Sequence, residues 1–316
     1  VSPAATLEVA GLSAGYGAAA GSGGALPVLA GVGFHVPAGH CLAVVGASGC
    51  GKSTLLHVLA GLLAPLAGSV TVGGQVVAAA DWAWSRGGPG CSAGHAAYMF
   101  QDDLLLPWKT AAQNAAMPTR LGRGDRRVSG TDGRRARRER ARGLEGRART
   151  LLTEFGLGDA LDVPPGRLSG GMRQRVALAR TMLMDRGLIL LDEPLGSLDA
   201  VTRAETRLWL LEVMAAHPAT WVLVTHDVEE AVLLGDSVAV LHGRPARLVH
   251  SGAATLGLQD RMRLAASAAG EGLTDEPAAL ALAAAVADVR AALVHDARRG
   301  RPVAAAHTNQ YREVTS

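Results

Sequence analysis

The sequence has little cysteine, little net charge and no long apolar run, and each shortage removes a class of protein. Three cysteines, Cys41, Cys50 and Cys91, are an odd number, and no two have the spacing of metal ligands. That argues against a disulfide framework or a cysteine zinc site, and a reducing compartment is the simplest reading. The formal net charge is only +3 over 316 residues, so the pI near 9.0 is no nucleic-acid footprint for the whole chain. The charge is uneven: between Arg120 and Arg149 twelve arginines face four acids, a local +8 that leaves −5 for the rest. Apolar stretches such as Ala278 to Ala287 stop at about a dozen residues, short of the ~20 that span a bilayer. Val1 to Ala10 lacks the basic and apolar regions of a secretory signal, and no internal repeat is present. With 48% apolar residues a full core is possible, and the length suits one large domain with an appendage, or two modest domains.

What is there alternates between strand and helix. Leu7 to Val9 and Val28 to Val36 read as strands, separated by a Gly/Ala-rich stretch from Gly11 to Gly24. Cys41 to Val45 is a short apolar run of the buried-strand kind. A glycine-rich loop follows, then a helix with Leu55, Val58, Leu59 and Leu62 on one face. Ser69 to Val77 predicts a strand pair around Gly73-Gly74, and Asp81 to Gly94 a surface loop. Ala97 to Phe100 is a short strand, and Asp102 to Arg167 an irregular helical region containing the arginine run. Strands at Leu188 to Leu191 and Trp221 to Thr225 flank a helix at Ala200 to Ala216, a β-α-β crossover implying a mostly parallel sheet covered on both faces. Pro277 to Arg299 predicts a helix with Leu282, Val286, Val289 and Leu293 in one stripe.

Gly46, Ala47, Ser48, Gly49, Cys50, Gly51, Lys52, Ser53 and Thr54 satisfy G-x-x-x-x-G-K-[ST] between a strand and a helix. Glycines let successive backbone N–H groups converge on phosphate oxygens, and the helix adds its positive N-terminal end. Lys52 supplies a charge for the β- and γ-phosphates, and the Ser53 hydroxyl is placed to ligate Mg²⁺. A glycine-rich turn with an incidental lysine and serine is the plainer alternative, which the flanking elements disfavour. The motif alone says only that a nucleotide binds; kinases, GTPases and helicases share it.

Leu188 to Leu191 runs into Asp192 and Glu193, and ligands in open parallel sheets sit at such strand ends. Asp192 would hold Mg²⁺ through water, and Glu193 is the candidate general base for a water attacking the γ-phosphate. Adjacent acids point in alternate directions, so they can do two jobs. His226 ends the next strand and could orient that water; a structural histidine is the plainer reading taken alone. Ser169 is a natural N-cap before Gly170 and Gly171, whose small size exposes the first N–H groups of a helix. This is a second anion-binding helix terminus, or else a simple cap.

In order from Leu7 to about Val249, these motifs resemble the ATP-binding cassette (ABC) family. The phosphate loop, Gln101, Leu168-Ser169-Gly170-Gly171, Leu190-Leu191-Asp192-Glu193-Pro194, Ser197-Leu198-Asp199 and His226 carry the resemblance. It implies an α/β fold: a P-loop NTPase cassette with a mostly parallel central sheet, an antiparallel β subdomain and an α-helical signature subdomain. It further implies ATP and Mg²⁺, with Tyr16 stacking on adenine, Gln101 sensing Mg²⁺ and the γ-phosphate, and Ser169, Gly170 and Gly171 gripping the ATP of a second, head-to-tail copy. Met172 departs from the pattern, since many cassettes have glutamine there.

Phe100 to Trp108, Asn114, Asp192 to Asp199 and Thr225 to Ala231 look like the importer cassettes for nitrate, sulfonate and taurine; related importers carry a thiamine pyrimidine precursor. The resemblance implies a homodimer, separate transmembrane permease subunits, an extracytoplasmic solute-binding protein, and a peripheral place on the cytoplasmic side of the inner (plasma) membrane. No nucleic-acid partner is expected. The apolar Leu104 to Trp108 would meet a permease helix, or pack within its own subdomain. A soluble ABC ATPase acting on ribosomes or DNA, and a P-loop kinase, are the competing classes. The expected boundaries are a cassette at 1–252, with a helical subdomain at about 102–180 and an Arg-rich insertion at about 120–149, then an Ala-rich helical extension at 253–316. The insertion reads as solvated and partly disordered, with anionic lipid or nucleic acid as alternative contacts.

Overall fold

A computed structural model of the chain describes residues 2–16, 26–80, 94–117, 131–253, 256–270 and 276–295. Ten strands form one sheet: β1 (Leu7–Tyr16), β2 (Leu26–Val36), β3 (Cys41–Gly46), β4 (Ala67–Val72), β5 (Gln75–Ala79), β6 (Ala97–Met99), β7 (Leu188–Asp192), β8 (Thr220–Thr225), β9 (Ser237–Gly243) and β10 (Ala246–Ala253). Their order is β5-β4-β1-β2-β10-β9-β3-β8-β7-β6. The half from β9 to β6 is parallel, while β1, β2, β4 and β5 pair antiparallel. The antiparallel part is therefore continuous with the parallel one, joined where Ala246 of β10 meets Leu29 of β2.

The strands separate two cores by strict alternation, because successive side chains of a strand face opposite ways. Cys41, Ala43 and Val45 of β3, Ile189 and Leu191 of β7, and Trp221 and Leu223 of β8 face the helical core. Leu42 and Val44, Leu188 and Leu190, and Val222 and Val224 face the other, shared with α1 (Lys52–Leu59) and the antiparallel strands. Being buried on both faces, these strands read as continuous apolar runs.

The helical side comprises α2 (Ala111–Ala115), α3 (Thr131–Glu154), α4 (Gly170–Met182), α5 (Ala200–Ala216), α6 (Val228–Leu234), α7 (Leu258–Ala268) and α8 (Glu276–His295). The arginine run falls in a helical region, as expected, but from Thr131 onward it is one continuous helix that runs past 149 to Glu154. Arginine, alanine and glutamate are good helix formers, and the last turns carry Ala148 and Leu152 into the core. Residues 118–130, which include the start of the expected insertion, residues 81–93 of the expected 81–94 loop and the end of the expected 277–299 helix lie outside the described residues. The tail packs back on the cassette. Arg261 of α7 bonds the Leu234 and Gly235 carbonyls and pairs with Asp236, while Ala278, Val286 and Val289 of α8 join the helical core. One exclusion from run length needs correction: Glu276–Val294 is long and apolar enough to cross a membrane by length and composition. Alanines, with Glu276, Asp288 and Arg290 the charged residues of the stretch, keep its average high although no unbroken run is long.

Candidate functional site

The phosphate loop leaves β3 at Gly46 and enters α1 at Lys52. Gly49 and Gly51 adopt left-handed backbone, φ +71° and +111°, which glycine alone takes without strain. A Cβ at Gly46 would come within 2.6 Å of Cys50 Sγ and the Leu241 carbonyl oxygen. Lys52 is buried, and its ammonium donates to the Gly46 and Ala47 carbonyls at 2.9 and 3.2 Å. Burial pushes the Cys50 thiol up despite Lys52 nearby, so it stays a neutral packing group. Ala47, Ser48 and Gly49 form the exposed tip of the loop. Tyr16, half exposed at the end of β1, sets its phenol oxygen 3.4 Å from Thr54 Oγ1 and 3.3 Å from His57 Nδ1, beside α1.

The two carboxylates gather separate sets of partners. Asp192, buried at the end of β7, accepts from the Ser53 hydroxyl at 3.3 Å and from the Tyr98 phenol at 2.8 Å. Glu193 leaves the strand with φ +46°, a left-handed conformation unusual for a glutamate. Its Oε1 lies 3.8 Å from Lys52 Nζ; its Oε2 lies 3.2 Å from His226 Nδ1 and accepts from Gln101 Nε2 at 3.4 Å. Lys52 from the β3 end, Gln101 past β6 and His226 past β8 therefore meet at one carboxylate. Tyr98 was missed by sequence reasoning; only its place one pairing register from Asp192's neighbour, Tyr98 opposite Leu190, could have pointed to it. Burial, then Asp192, pushes its phenol far up, so it remains a donor.

A Mg²⁺ ion would fit Ser53 and Asp192. A hydroxyl and a buried carboxylate already share a hydrogen bond there, a hard-oxygen pair suited to an ion that keeps several waters. Gln101 reaches Glu193 and makes no bond to Asp192 or Ser53 among the described residues.

The serine-glycine turn lies elsewhere. Ser169 caps α4, accepting from Met172 N at 3.2 Å. A Cβ on Gly170 would stand 3.1 Å from Leu198 Cδ2, and one on Gly171 2.9 Å from Thr202 Cγ2. The glycines thus let α4 close on the start of α5, where Asp199 caps the helix through Thr202 N. Gln174 ties the same region by donating to Ser197 Oγ at 3.2 Å. Among the described residues, no hydrogen bond or ion pair joins Ser169, Gly170 or Gly171 to Lys52, Asp192 or Glu193. Met172 is half-buried against the helical core, where a thioether packs and an amide would lose solvation.

Comparison with known proteins bears on this geometry. A family model described as ABC transporter matches residues 29–196. An aliphatic sulfonates import ATP-binding protein, SsuB 2 of Agrobacterium fabrum, is 41% identical over 218 residues, 68% of this chain and 70% of the relative. The taurine import ATP-binding protein TauB of Burkholderia pseudomallei is 41% identical over 226 residues, covering 72% and 76%. Among solved structures, a dimeric post-hydrolysis state of the ATP-binding cassette MJ0796 bound to ADP and Pi matches with TM-score 0.59 and 23% identity, covering 79% of this chain and 100% of that one. That likeness establishes the P-loop cassette fold.

Proposed function

The chain belongs to the ABC transporter ATP-binding family, as an ATP-hydrolysing subunit related to the sulfonate and taurine import ATPases, and within it we propose uptake of a small organic sulfonate through a separate permease. The observation that carries the catalytic part is the meeting of Lys52, Gln101 and His226 at Glu193. Lys52 and the N–H groups of residues 46–54 bind the triphosphate. Glu193 accepts the proton of the attacking water while Gln101 and His226 fix that water's line of approach. Ser53 and Asp192, with Gln101 beside them, would hold Mg²⁺, which supplies charge neutralisation at the β- and γ-phosphate oxygens. Tyr16 offers a half-exposed ring to the adenine.

Ser169, Gly170 and Gly171 serve the nucleotide of a second copy. Among the described residues, none of the three has a hydrogen bond or ion pair to Lys52, Asp192 or Glu193, which supports this reading, as does the dimeric likeness. The partners are then a homodimeric copy, permease subunits meeting the exposed Leu104 and Trp108, and an extracytoplasmic solute-binding protein. The place is the cytoplasmic face of the plasma membrane. An alkanesulfonate, taurine included, is the cargo most in keeping with the relatives.

Glu193→Gln should lower turnover about 10²–10⁴-fold while Mg-ATP still induces the dimer; retained turnover would refute the base. A strain lacking the gene should fail on taurine or alkanesulfonate as sole sulfur source and grow on sulfate. Normal growth on the sulfonates rejects the cargo.

A further inference from the structure

Leu104 has φ +47° and an exposed side chain, and a non-glycine residue stays in that backbone region only where its surroundings over-determine it. The determinants are two arginines of α4. Arg180 donates from Nη2 to the Asp103 carbonyl at 2.6 Å and from Nη1 to the Leu104 carbonyl at 2.9 Å, one guanidinium holding two successive peptides. Arg173 donates from Nε to the Asp103 carboxylate at 3.0 Å and from Nη1 to the Leu168 carbonyl, just before the capping Ser169, at 2.9 Å. Seven residues apart, the arginines lie two turns apart on one helix face. The far side of the segment is fixed too. Buried Asn114 accepts from Leu106 N and donates to the carbonyls of Leu106, Lys109 and Thr110. The stretch from Gln101, at the catalytic carboxylate, to the exposed Trp108 is therefore strapped to the helix whose first turn is Ser169-Gly170-Gly171.

We propose that Arg180 and Arg173 are positioning residues that make α4 and the Gln101–Trp108 segment move as one piece, so that closure of the Ser169 turn on a nucleotide is transmitted to the exposed Leu104–Trp108 knuckle. This rests on the ATP reading above. A guanidinium suits the task because its planar fork spans two acceptors in fixed geometry, which a lysine ammonium does not. Burial works against the charge of Arg180, with Asp103 favouring it, so the strap is set at a cost that a surface contact would not carry.

The test is hydrogen exchange read by mass spectrometry on the full chain in a Glu193→Gln background, with and without Mg-ATP. The parent should gain protection over residues 46–54 and change exchange over 104–108 when Mg-ATP is added. Arg180→Met should exchange about tenfold faster over 104–108 and lose the nucleotide response there, while residues 46–54 keep theirs. Arg180→Lys and Asp103→Asn, which keep the charge or the shape, should weaken the response partly and decide the matter if the methionine variant does not fold. A full response over 104–108 in these variants, with residues 46–54 protected, overturns the strap. Absence of protection at 46–54 in the parent overturns the ATP reading itself.

Discussion

Glu230 offers the sharpest test of how the fold treats a misplaced charge. It is 2% exposed, in the first turn of α6. Its Oε2 accepts from the Thr225 hydroxyl at 3.0 Å, and its Oε1 makes no hydrogen bond among the described residues. The facing cations are Arg207 and Arg203 of α5, but the Arg207 guanidinium is engaged with Glu229 at 3.0 Å, and Asp227 adds a like charge. Burial pushes the carboxyl up from 4.5 to about 7, and Asp227 adds to the rise against the opposing Thr225, Arg207 and Arg203. The folded chain then holds a proton that the unfolded chain has released, so stability is lost as pH climbs from about 4.5 and levels off above about 7. The whole difference corresponds to roughly 3 kcal/mol, of which about 2–3 kcal/mol falls between pH 5 and 8. Glutamine cannot ionise yet keeps an acceptor for Thr225. Glu230→Gln should therefore match the wild type closely at pH 5 and exceed it by about 2–3 kcal/mol at pH 8 in denaturant melts. Titrations elsewhere cancel in the comparison. A stability difference that stays flat from pH 5 to 8, or that favours the wild type as pH rises, refutes the argument.

Three further perturbations address the site. Lys52→Ala should weaken ATP binding roughly 10- to 100-fold, the scale of a lost charge-assisted hydrogen bond, and unchanged affinity in a nucleotide titration would contradict the cradle. Tyr98→Phe strips a donor from buried Asp192; it should cost about 1–3 kcal/mol and raise the Mg²⁺ concentration giving half-maximal ATPase. An unaltered melt together with an unaltered Mg²⁺ titration would dismiss that role. Gly171→Ala brings a Cβ to 2.9 Å from Thr202 Cγ2 and 3.2 Å from Thr206 Oγ1. It should destabilise the α4–α5 contact by about 1–3 kcal/mol and weaken Mg-ATP-induced dimerisation in light scattering; a variant as stable and as dimeric as the parent argues against tight packing there.

Elements whose signal is local were legible in the sequence. Cys41 to Val45, Leu188 to Leu191 and Trp221 to Thr225 declare themselves as apolar runs because a core covers each face of the sheet there, and Ala200 to Ala216 matches α5 residue for residue. Motif spacing placed Lys52 between a strand and a helix and Asp192, Glu193 and His226 at strand ends. What pairing decides was not legible. Tyr98 reaches Asp192 only because β6 lies beside β7 in register, and Arg180 reaches Leu104 across 76 positions of chain. The arginine run was legible as part of a helical region, but not as one continuous helix from Thr131 to Glu154. Charge density marks solvation, but arginine, alanine and glutamate also favour helix, and the buried anchors of α3, Ala148 and Leu152, come only near its C-terminal end.

The separate side-chain partners of the two acids follow from one backbone distortion. Asp192 is still in β7, paired with Val224, and its side chain turns toward Ser53 and Tyr98. Had the strand continued, Glu193 would simply face the opposite side of the sheet. Instead its N–H donates to the Val224 carbonyl at 2.9 Å and its own carbonyl accepts from Gly196 N at 3.1 Å, pinning the residue in left-handed backbone from both ends. Such a conformation costs of order 1–3 kcal/mol in a non-glycine residue. Glycine would relieve that cost but carry no carboxylate. The retained glutamate places Oε1 by Lys52 and Oε2 by Gln101 and His226, in reach of groups on three strand ends. No side-chain partner of the Asp192 carboxylate is shared with the Glu193 carboxylate among the described residues. On the proposed mechanism, an acid that binds an ion and an acid that takes a proton must not compete for one set of donors, and the kink at residue 193 keeps them apart.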